Sequence, residues 1–76
     1  MTAYKNLNGG SGIESYEITD DSITVRFSSG RIRNYLYTDQ IPGAAVVAKM
    51  KGLAVQGYGL NSYISTTVKS RFERKW

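Results

Sequence analysis

The sequence predicts an α+β domain, a three-stranded antiparallel meander packed on two C-terminal helices. Two observations predict it. Between Ile13 and Tyr37, alternating apolar runs are broken by the turn-forming pairs Asp20-Asp21 and Ser29-Gly30. From Pro42 onwards the apolar spacing changes to three and four, in two stretches separated by Gly57-Tyr58-Gly59. The chain has 76 residues, enough for one domain and no more. A chain of that size buries only about 60% of its unfolded surface, so marginal stability is expected.

Residues 1–12 read as a flexible lead, because Asn6, Asn8, Gly9, Gly10, Ser11 and Gly12 offer coil chemistry and little to bury. The domain proper is expected over 13–76. Its first strand runs from Ile13 to Ile18, and Asp20-Asp21 turns the chain, since short carboxylates bond their own backbone. The second strand, Ser22 to Ser28, alternates Ile23, Val25 and Phe27 with polar neighbours. Ser29-Gly30 supplies a two-residue hairpin turn.

That turn sets the register of the third strand. A two-residue loop puts Phe27 opposite Ile32, Val25 opposite Asn34 and Ile23 opposite Leu36. Arg26, Arg31, Arg33, Tyr35 and Tyr37 then gather on the other face. One residue more in the loop reverses every side chain and drives the Arg and Tyr residues inward. Two arginines against one asparagine favour the first register, although a bulge beside Gly30 restores the second.

Pro42 suits the first turn of a helix, with Thr38 or Asp39 as cap. Ala44, Val47, Met50 and Ala54 form its apolar stripe, and Gly57 ends it. The second helix starts near Leu60 and carries Tyr63, Ile64, Thr67 and Val68 on one face, extended by Phe72.

Composition narrows the function. The chain has no Cys and no His, which removes disulfides, the usual zinc ligands and the commonest general base. Asp20-Asp21 reads as a turn rather than an acid–base pair, and no Ser or Thr sits in a nucleophile pattern. A non-catalytic protein without metal or cofactor is expected. Without a leader pattern or a long apolar run, a soluble cytoplasmic monomer is expected.

Ten Lys and Arg face six Asp and Glu, for a net charge of +4. A row of Arg and Tyr is poor core material but suits phosphate and unpaired bases. Arg26, Arg31, Arg33, Tyr35 and Tyr37 are therefore candidates for binding RNA or another single-stranded nucleic acid. Lys69, Arg71, Arg74 and Lys75 would widen the positive field. A solvated helix end explains those four cations equally well. The alternative function is a protein-interaction module using the same Arg and Tyr anchors. Tyr35 and Tyr37 can also simply cover the sheet beside Tyr16. Gly57-Tyr58-Gly59 has only half the look of a phosphate loop, and a tight helix connection accounts for it better.

An ordered set of short motifs resembles the KTSC domain, a family named for a C-terminal extension of some lysyl-tRNA synthetases. It runs from Ile23-Thr24-Val25-Arg26-Phe27 to Gly30 and then to Tyr35-Leu36-Tyr37. It continues through Met50-Lys51-Gly52-Leu53-Ala54 and Gly57-Tyr58-Gly59-Leu60-Asn61-Ser62-Tyr63-Ile64. The resemblance covers about Ile13 to Phe72. It departs between Gly30 and Tyr35, where the stretch looks longer than usual. The resemblance implies a single-domain bacterial or phage-type protein of unassigned role, for which RNA binding has been suggested. Residue by residue, it adds weight only to Tyr35 and Tyr37.

Overall fold

A computed structural model describes residues 1–76. The strands are β1 (Thr2–Ala3), β2 (Ile13–Thr19), β3 (Ser22–Phe27), β4 (Asn34–Thr38) and β5 (Arg74–Lys75). All pair antiparallel in the order β1-β2-β3-β4-β5. Between β4 and β5 the chain forms α1 (Ala44–Gln56), α2 (Leu60–Tyr63) and a π-helical turn over Ile64–Val68. No helix is long and apolar enough to cross a membrane.

The predicted meander is thus the centre of a five-stranded sheet, and both added strands come from segments given another role. Thr2 and Ala3 pair with Tyr16 and Ser15, and Tyr4 is buried in the core. Leu7 donates its N–H to Gly57 O at 2.8 Å, and the Asn6 amide donates to Ile13 O at 3.0 Å. The lead expected to bury little is therefore strapped to the domain. At the other end, Arg74 and Lys75 do not finish a helix. They lie along β4, opposite Leu36 and Tyr35.

The expected register of β4 is overturned. Val25 lies opposite Tyr35 and Ile23 opposite Tyr37, while Arg26 meets Asn34. Phe27 donates to Arg33 O at 2.8 Å, so the ladder runs one residue out of step with a two-residue loop. Because strand side chains alternate, that single step carries Tyr35 and Tyr37 to the inner face and Leu36 to the outer one. A second irregularity shapes β2. Glu14 is bulged between Ile13 and Ser15, which lets Ile13 and Tyr16 both point inward.

The helices close the inner face. α1 contributes Val47, Met50 and Ala54, and it ends where Gly57 turns left-handed at φ 91° and returns its N–H to Leu53 O. Its start departs from expectation. Gly43 is the capping residue, no side chain caps the helix, and Pro42 lies in the preceding turn after a cis bond. The Thr38 hydroxyl instead accepts the N–H groups of Gln40 and Ile41. From the second helical stripe Leu60, Ile64 and Val68 are buried, whereas Thr67 is exposed.

Candidate nucleic-acid interface

Tyr35 and Tyr37 stand at the centre of an aromatic cluster. The Tyr35 ring meets Phe27 edge-on at 5.5 Å and Phe72 at 5.1 Å between centroids. Tyr37 meets Phe72 at 6.4 Å. Edge-to-face contacts at these separations match the positive ring edge to the negative ring face. Two features bring the rings together. The register turns both tyrosines inward, and the pairing of β5 with β4 draws Phe72 back over the sheet.

This cluster leaves a cavity of about 440 Å³ at one end of the core. Phe27, Ile32, Tyr35, Tyr37, Ile64 and Phe72 form its apolar walls. Gly12, Ser29, Lys69 and Ser70 complete its lining. Tyr37 is only 1% exposed. Even so, it is one of the residues that line the cavity. Burial, and then the neighbouring Tyr35, push this phenol from 10.0 up to about 12, so it remains a neutral donor across the physiological range.

The nine residues predicted for binding separate into two groups. Lys69 lines the cavity. Arg31 is exposed on the loop whose Ser29 and Ile32 line it, and Arg33 lies opposite Phe27. The Lys75 ammonium stands 5.5 Å from the centre of the Phe72 ring. Arg71 is tied to the end of the helical turn, donating to Thr67 O at 3.3 Å, between cavity-lining Ser70 and Phe72.

Arg26 and Arg74 lie elsewhere, on the outer face of the sheet. Arg26 pairs with Glu14 at 3.7 Å, and Arg74 sits 5.2 Å from the centre of the Trp76 ring. Trp76 is 48% exposed, with its backbone held by Arg33 and Asn34. The continuous row of Arg and Tyr expected on one exposed face does not form. Tyr37 lies too deep to be a stacking platform.

Charge is also divided along the molecule. No carboxylate lines the aromatic cavity. Asp21, Asp39 and Glu73 instead line a polar hollow by Thr38, at the other end of β4. Lys51 closes the β2–β3 turn there by donating to Thr19 O and Asp20 O.

Sequence reasoning missed the cavity because it assigned Phe27 and Phe72 to a closed core. The available signal was the length of the Ser28–Ile32 loop, which leaves room for the other register. Comparison with family models, curated proteins and solved structures finds no match to this chain.

Proposed function

We propose that this protein is a small non-catalytic module that binds single-stranded nucleic acid, RNA before DNA, at the aromatic cavity and its cationic rim. One observation carries the reading: an open apolar cavity of about 440 Å³ has Lys69 in its lining, the Lys75 ammonium against its Phe72 wall and no carboxylate in its walls. Its volume lies within the roughly 300–1,000 Å³ of ordinary ligand sites. An unpaired base offers a flat apolar ring with polar edges, and the backbone next to it offers phosphates to Arg31, Arg33, Lys69 and Lys75. The KTSC-like motifs point the same way. The reading rests on the cavity and its charge, since no family model matches the chain.

A titration of short single-stranded RNA at several salt concentrations tests it. Three or four phosphate contacts give a log–log salt slope of roughly −2 to −3, at about −0.7 per contact. Arg31→Ala and Lys69→Ala each flatten the slope by about one contact and weaken all sequences alike. Arg26→Ala and Arg74→Ala, on the opposite face, leave the slope unchanged. Tyr35→Ala weakens binding by about 1–3 kcal/mol with little change of slope, provided the variant melts as a folded protein. Binding no tighter than that of a simple polycation overturns the reading. Capture of a partner from lysate that survives nuclease then supports the protein-interaction alternative.

A further inference from the structure

Lys69 combines two irregularities at the lip of the cavity. Its backbone sits at φ 54° and ψ −123°, which glycine adopts freely and a residue with a Cβ seldom does. It also ends the π-helical turn, donating its N–H to Ile64 O at 2.6 Å. A π turn inserts one extra residue into a helix, and such insertions concentrate at functional sites. Here the wider turn sets Ile64 at its start and Lys69 just past its end, and both line the same cavity. Strain at a binding surface persists when the position it imposes is useful.

We infer that the cavity holds one nucleotide unit, an aromatic base carrying a phosphate, and that Lys69 is the specificity-determining residue that fixes the phosphate at the lip. This inference rests on the nucleic-acid reading and narrows it to a single unit. The walls suit a ring because Phe27, Tyr35 and Phe72 present apolar surface on several sides. Tyr37, which also lines the cavity, brings a neutral hydroxyl as a donor for the edge of that ring. The Lys69 ammonium provides the charge an adjacent phosphate needs, and no carboxylate in the walls competes for it.

The probes are adenosine and uridine 5′-monophosphate, their parent nucleosides and a short single-stranded RNA, followed by NMR on the full chain. Shifts confined to Phe27, Tyr35, Ile64, Phe72 and their neighbours are expected with the monophosphates. Binding of the nucleosides should be weaker by about tenfold or more. Lys69→Gly removes the ammonium and relieves the backbone, so its Tm should rise by about 4–8 °C while monophosphate affinity falls by at least the same factor. Lys69→Arg should retain most of the affinity.

RNA binding without monophosphate binding overturns the single-unit inference and leaves the nucleic-acid reading standing. Monophosphate binding with no gain for RNA overturns that reading and leaves the cavity as a mononucleotide site. Binding of neither overturns both. Unchanged affinity in Lys69→Gly removes Lys69 from its assigned role, and an unchanged Tm removes the strain.

Discussion

The two faces of the sheet are built from adjacent residues and share the same hydrogen bonds, yet they do different work. Tyr35 and Tyr37 point inward from β4, and both belong to the aromatic cluster and line the cavity. Asn34, Leu36 and Thr38 point outward from the same strand. The outer face carries an ion pair, a guanidinium over an indole and a row of small polar side chains. No helix covers it. The inner face is packed densely enough to fix its rings but stays open at one end, where the cations lie. Residue type alone does not decide which face holds a cavity. The decisive factor is which face the helices leave partly open.

Substitutions that break the inner face should have the largest effects. Ile64→Asp puts an unpaired carboxylate where the π-helical turn meets the sheet, at a cost of several kcal/mol, comparable with the whole stability of a small domain. No cooperative thermal transition is expected for this variant. A melt near the wild-type temperature would show that this turn does not close the inner face.

Adjacent positions on β4 separate the faces directly. Tyr37→Ala removes a fully buried ring and should destabilise by about 3–5 kcal/mol. Leu36→Ala on the outer face should stay below about 1 kcal/mol, because that side chain is only partly covered. Urea unfolding of the two variants ranks them. The opposite order would restore the two-residue hairpin register.

Alkaline pH gives a smaller effect. The Tyr37 phenol has its folded pKa raised from 10.0 to about 12, so the unfolded chain gives up this proton first. Its contribution to stability is complete below pH 10 and is lost as pH rises through 12. A rise of that size corresponds to a loss of about 1–3 kcal/mol. Tyr37→Phe should remove this part of the alkaline decline in stability, measured by denaturant midpoints at pH 9 and pH 11.5.

The smallest effect is expected at Arg26. Its pair with Glu14 is partly exposed at both ends, and such pairs contribute about 0–1 kcal/mol. Arg26→Ala should barely move the melting temperature at moderate salt. A large loss would mean that the outer face carries structure beyond its visible contacts.

Much of the fold was legible in the residues because local physics decides it. The alternation of Ile23, Val25 and Phe27 identifies β3, and Gly57 is suited to the left-handed turn that ends α1. The burial of Leu60, Ile64 and Val68 follows from their spacing on one helical face. The candidate site was less legible. Arg31, Arg33, Lys69 and Lys75 were identified from composition as candidate cations, but Phe27 and Phe72 were not recognised as cavity walls. Arg26 and Arg74 were grouped with residues from which a sheet separates them.

The sequence by itself determined the α+β class, the three central strands, the two helical stripes and the excess of positive charge. These follow from side-chain period and composition, which act over a few residues. Only the tertiary structure decided the face of β4, the strapping of the first residues and the return of the C-terminus as β5. The ladder from Arg26–Asn34 to Ser22–Thr38 pays no heed to which face its side chains take, so loop length and helix packing choose between registers one residue apart. β1 and β5 are two residues long and too short to have a period of their own. They form where Thr2–Ala3 and Arg74–Lys75 run along the edges of β2 and β4 and pair with them over two residues each.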